Sequence, residues 1–181
     1  MTILPSVQIE QLPKSVQDFV ALRDQIAQSP QGGAAMMVLA ILAYTEDRTL
    51  GWQCLTVAVD RERLQEGSKG YKGWQLSNGD LQRIQLQVQG KPYLPKSYIE
   101  GATPENGYAL SGPPYVVTCS DNPYSGDLES GTYKVFVACS GASSPRPITL
   151  KRNDKGFWKA SEWSSLLVGV KAPAQTIHDD L

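Results

Sequence analysis

Residues 32–44 read Gly-Gly-Ala-Ala-Met-Met-Val-Leu-Ala-Ile-Leu-Ala-Tyr, thirteen positions without a charge, and the fold turns on how they are taken. Crossing a bilayer needs about 20 consecutive apolar residues. The run is too short for that, and no membrane insertion is expected. A helix with no polar face belongs inside a core rather than on its surface. Upstream, Ser15-Val-Gln-Asp18 has the form of a capping box, and Val16, Phe19, Val20, Leu22, Ile26 and Ala27 recur mostly three or four positions apart. This predicts an amphipathic helix over 13–28 with Arg23 and Asp24 in water, ended by Ser29-Pro30 and Gly32-Gly33. Downstream, Leu50, Cys54, Val57, Ala58 and Leu64 share a helical face, which predicts a third helix over 50–66 stopped by Gly67. Within it, Thr56–Val59 is also good strand material.

After Gly67 the chain is punctuated by glycine and proline, which leaves little room for a long helix. Gly67-Ser-Lys-Gly-Tyr-Lys-Gly73 lacks the order of a phosphate loop and reads as a flexible connection. Ile84, Leu86 and Val88 alternate with Gln85, Gln87 and Gln89, the pattern of a half-buried strand. Further strands are expected over 115–119 and 132–139, the second covered on both faces. Asn153-Asp-Lys-Gly156 suits a tight hairpin loop between 148–152 and 157–160. A last apolar strand is expected over 166–170, followed by a polar tail with His178.

The fold class is therefore α+β: N-terminal helices packed on a C-terminal, mainly antiparallel sheet, with no strand before Asp47 and no long helix beyond Ser130. A single domain is expected over 1–181, with a helical layer over about 13–66, a strand-rich part over about 80–171 and a tail over 172–181. A chain of this length buries about two thirds of its unfolded surface and needs no staple.

Composition removes several functions. Lys plus Arg number 17 against 18 Asp plus Glu, so the chain is not a generally basic nucleic-acid binder, although a locally charged face stays open. One histidine near the end leaves no multi-histidine metal site, and a Ser-His-Asp triad would rest on the tail. Cys54, Cys119 and Cys139 are odd in number and form no CxxC pair, which fits reduced thiols. With no basic segment and apolar leader in residues 1–17, the expected location is cytoplasmic; export with a removed leader is the alternative.

Asp121-Asn-Pro-Tyr-Ser-Gly126, Lys134-Val-Phe-Val-Ala-Cys-Ser140, Pro145-Arg-Pro-Ile148, Lys155-Gly-Phe-Trp-Lys159 and Glu162-Trp-Ser-Ser165 resemble an uncharacterised bacterial domain family, a domain of unknown function. The resemblance implies bacterial origin and an α+β domain, and it assigns no residue a role. The terminal hairpin also resembles that of several cone-shaped α+β folds that hold small ligands, a likeness too generic to supply one.

Two constellations carry possible chemistry. The loop 120–131 supplies Asp121, Asp127 and Glu129, oxygen groups suited to a divalent cation or to an acid–base pair, although their spacing matches no EF-hand and Asx turns account for the same letters. Among the loop aromatics, Tyr71, Trp74 and Tyr124 could line a cleft, and the planar fork of Arg146 could clamp an anion. The cysteines read as small core residues. The favoured function is a non-enzymatic binding or interaction module for a small molecule or protein, without cofactor or metal. The alternative is a hydrolase using the loop carboxylates, with or without a divalent cation.

Overall fold

The computed structural model describes residues 1–175. Two short strands, β1 (Thr2–Ile3) and β2 (Val7–Ile9), precede the helices, which overturns the expectation of no strand before Asp47. At two and three residues they are too short for any periodicity to betray. The first helix, α1 (Val16–Ile26), starts as the sequence predicts: Ser15 Oγ accepts from the Asp18 amide at 3.0 Å. The reciprocal half of the box is shifted, because the Asp18 carboxylate accepts from the Lys14 amide instead of from Ser15.

The apolar run lies in α2 (Pro30–Glu46), capped by Ser29, whose Oγ accepts from the Gly32 amide at 3.1 Å. Pro30 occupies the first helical position, where its missing N–H costs nothing. Residues 32–42 are buried on every side. Asp47 ends α2 and also caps α3 (Arg48–Ala58), accepting from the Leu50 amide at 3.1 Å. The close approach of α2 and α3 depends on Gly51, where a Cβ would lie 2.2 Å from Tyr44 Cα.

Helix α3 stops at Ala58, eight residues before the expected end at Glu66. The cause is tertiary. Val59 forms a parallel bridge with Ala160, and the Asp60 amide donates to the Ala160 carbonyl at 2.7 Å. The chain is thereby drawn out of the helix onto a sheet edge. After a 3-10 turn at Arg61–Arg63 it runs into β3 (Leu64–Tyr71), paired with β4 (Trp74–Leu76). The stretch 67–73, expected as a loose connection, is thus most of a hairpin. It folds over the buried amide of Gln75, whose Oε1 accepts from the Lys69 amide at 3.2 Å. A Cβ on Gly67 would fall 2.0 Å from that oxygen.

A second correction concerns 84–88. These residues form part of a helix, α4 (Asn78–Val88), capped by Ser77. Leu81, Ile84 and Val88 are buried at helical spacing, whereas Leu86 is 62% exposed. The even-numbered alternation was coincidental.

The remaining strands are β5 (Tyr115–Val117), β6 (Cys119–Asp121), β7 (Gly126–Asp127), β8 (Thr132–Val137), β9 (Arg146–Arg152) and β10 (Trp158–Glu162). The main sheet is antiparallel in the order β1-β6-β8-β9-β10, with β7 also on β8; β2 pairs with β5 separately. The hairpin loop at 153–156 forms where expected, with Asn153 Oδ1 accepting from the Lys155 and Phe157 amides. The outer face of β8 is open, not covered: Lys134 is exposed and Phe136 only half-buried. Leu166 and Leu167 sit in a buried 3-10 turn (Ser164–Leu167), and no strand forms over 166–170. His178 lies outside the described residues.

The core is formed where α2 packs against α1 and α3 and against the sheet. Buried side chains of α1, α2 and α3 meet Val135 and Val137 of β8, Ile148 and Leu150 of β9, and Trp158 and Ala160 of β10. This is an α+β arrangement of helices against a mainly antiparallel sheet. Gly33 lets α2 approach β10, since a Cβ there would lie 2.5 Å from the Trp158 carbonyl oxygen. The free edge of β10 is occupied by the Ala27 carbonyl, which accepts from Trp158 N at 2.8 Å, and by the Val59–Asp60 bridge.

Candidate functional site

The packing that ends α3 early also opens a cavity of about 640 Å³ between the 59–64 connection and the β9–β10 hairpin. Its charge is lopsided. Arg23, Arg61, Lys151, Arg152, Lys155 and Lys159 line it against Asp60, Glu62 and Asp154. Four of these cations come from the nine residues of the hairpin, Lys151-Arg-Asn-Asp-Lys-Gly-Phe-Trp-Lys159. Lys151 and Lys159 are direct cross-strand partners in the β9–β10 register, where like charges are unfavourable.

The two lysines resolve this differently. Lys151 reaches Glu62 at 2.6 Å, a contact that holds the Glu62 carboxyl below its usual range. Lys159 turns inward, is only 9% exposed, and donates to the Val57 carbonyl in the last turn of α3, where a cation complements the helix dipole. Among the described residues no carboxylate lies within 4 Å of it. Burial, with the nearby Arg23 adding repulsion, pushes its ammonium down to about 8, while Asp60 and Asp24 oppose the shift. Asp60 is itself buried, with one carboxylate oxygen accepting from the Glu62 amide at 3.1 Å.

Neither aromatic ring of the hairpin lines the cavity: Trp158 is buried and Phe157 half-buried. Arg23 lies 4.7 Å from the Phe157 centroid, and Arg152 lies 5.4 Å from that of Trp158. The cavity therefore offers charge and hydrogen-bond donors but no open ring on which a base or sugar could stack.

The candidates named from sequence are dispersed. Asp121, in β6, accepts from Tyr133 Oη at 2.6 Å, which raises the Tyr133 phenol to about 12. Both line a smaller cavity of about 340 Å³ beside the start of α2, which includes neither Asp127 nor Glu129. Asp127 caps the 3-10 turn Leu128–Ser130, accepting from the Glu129 amide at 3.0 Å, and the Glu129 side chain is exposed. Among the described residues no group of three or more His, Cys, Asp or Glu side chains is placed to hold a metal ion. Tyr71 and Trp74 are register partners on the β3–β4 hairpin, with Trp74 43% exposed. Tyr124 is 90% exposed on an Asx turn capped by Asn122. Other tyrosines face inward: Tyr98 and Tyr108 are buried, and Tyr93 stacks on Tyr108 at 5.3 Å. Arg146 clamps its own chain, donating to the Val168 and Gly169 carbonyls at 3.0 and 3.1 Å.

The cysteines are free thiols. Burial pushes Cys54 and Cys119 up to about 12, which leaves them unreactive at neutral pH. Cys119 faces Val137 across the β6–β8 ladder.

Residues 11–174 match a family model described as a domain of unknown function, DUF6935, a span that takes in α1 to α4 and both halves of the fold. The chain belongs to DUF6935. No curated protein and no solved structure matches it. Membership thus adds no residue role, and the chemistry of this DUF6935 domain rests on its own side chains. The groove residues Asp60, Arg61, Lys151, Lys155 and Lys159 were missed in sequence. The available signals were the density of cations over 151–159 and a lysine between two residues that the strand pattern buries.

Proposed function

We propose that this domain is a binding module for an anionic small molecule or an acidic segment of a protein, held in the groove between the 59–64 connection and the β9–β10 hairpin. The observation that carries the reading is Lys159: a buried ammonium with one carbonyl and, among the described residues, no carboxylate within 4 Å, in a cavity where cations outnumber carboxylates. A bound anion would supply the missing counter-charge. The hydrolase alternative has less support, because Asp127 and Glu129 do not share the cavity that Asp121 lines. Tyr71, Trp74 and Tyr124 remain proposed contacts for a protein partner through their exposed rings, and a native partner retained by both Trp74→Ala and Tyr124→Ala would remove them.

We place the protein in a reducing, bacterial cytoplasm, supported by three free thiols and by the sequence resemblance. No helix of the described residues is long and apolar enough to cross a membrane. We also infer one folding domain, supported by a core that draws on both halves of the chain.

The test is a calorimetric titration with inorganic phosphate and pyrophosphate at low salt. Pyrophosphate should bind at one site, and Arg61→Ala combined with Lys155→Ala should weaken it by about ten-fold, the effect of losing charge-assisted contacts. Absence of saturable binding of either anion overturns the anionic-ligand reading.

A further inference from the structure

Resting on that reading of the groove, we propose that Lys159 is a covalent capture site, its ε-amine condensing with a small aldehyde or 2-oxo acid whose phosphate or carboxylate is held by the surrounding cations. The strand register sets Lys159 directly across from Lys151, and the cavity also presents Arg23, Arg61 and Lys155. Desolvation together with neighbouring cations is the environment that makes a lysine nucleophilic. With its ammonium pushed down to about 8 by burial, far more of Lys159 is the free amine near neutral pH than of an ordinary lysine.

The step balances without a further reactant. The amine lone pair forms a C–N bond to the carbonyl carbon, the carbonyl oxygen takes up protons and leaves as water, and the product is an imine that water reverses. Asp60, a buried carboxylate of the same cavity, is assigned the shuttling of the amine protons to the departing oxygen. Among the described residues no aromatic side chain lines the cavity, so the ligand is a compact anionic carbonyl compound rather than a nucleotide.

The experiment uses pyridoxal 5′-phosphate and unphosphorylated pyridoxal as probes, reduction with sodium borohydride, and peptide mapping by mass spectrometry. Lys159 should label at least ten-fold faster than any other lysine with the phosphorylated probe, lose that advantage with pyridoxal, and be protected by excess inorganic phosphate. Lys159→Arg should unfold in one cooperative transition, which reports an intact fold, and show no fast labelling; Lys155→Ala should still label at Lys159, more slowly. Labelling spread over exposed lysines, with Lys159 no faster than the rest, overturns the covalent site. If pyrophosphate still binds in that case, the anion-binding reading stands; if it does not, both fall.

Discussion

At the scale of single residues, Lys159 makes stability depend on pH in an unusual direction. Its ammonium is lowered from 10.5 to about 8 on folding, chiefly by burial, so between those values the unfolded chain holds the proton and the folded chain does not. Stability therefore rises as pH climbs through 8. The groups facing it are Arg23, Asp24, Asp60 and Lys155, and the two aspartates limit the shift. Cys54 and Cys119, raised from 9.0 to about 12 by burial, act oppositely above pH 9 because the unfolded thiols ionise first. The expected melting temperature rises from pH 7.5 to 9 and then falls, and Lys159→Met should abolish the rise while keeping the fall. A rise that persists in that variant would mean another group causes it. Arg146 donates to the Val168 and Gly169 carbonyls, and Arg146→Ala, which frees both, should cost about 1–3 kcal/mol in urea unfolding. Neither role was legible in sequence, because an arginine between prolines looks the same whether its fork meets a ligand or its own backbone.

Among the elements, α2 shows how much one helix can be determined by its own residues. A run with no polar face has to be surrounded, and Ser29-Pro30 starts it cleanly. What the letters do not say is which neighbours do the surrounding. Gly33→Ala and Gly79→Ala separate these two kinds of information. Both put alanine for glycine in a helix, which favours the helix by up to about 1 kcal/mol. At Gly79 nothing lies within 4 Å of the new carbon, so the gain should be kept. At Gly33 the carbon meets the Trp158 carbonyl at 2.5 Å, and the overpacking should give a net loss of about 1–3 kcal/mol. Thermal unfolding of the two variants should move in opposite directions. The misread element α4 marks the limit of local pattern: Ile84, Leu86 and Val88 fit a strand by alternation, and only burial reveals that Leu86 is on the wet side of a helix.

For the whole molecule, the helices and sheet share one core through α2, and this predicts a single unfolding transition. Calorimetric and van't Hoff enthalpies should agree; two resolved transitions would divide the chain into separate units. Saturating pyrophosphate should raise that one transition, by about 2.7 kcal/mol of stability at a hundred times its dissociation constant. The α+β class, the central buried helix and the 153–156 hairpin were determined by sequence alone, because each follows from short-range chemistry: absence of a polar face, a capping serine, an Asn-to-Gly loop. The early end of α3, the β1 and β2 strands and the groove were decided only by tertiary structure. Val59 leaves its helix because Ala160, a hundred residues on, offers an edge that no local propensity can express. The same long-range pairing turns Lys159, one cation among many along the chain, into a buried amine facing a cavity, since burial belongs to the assembled fold and not to the residue.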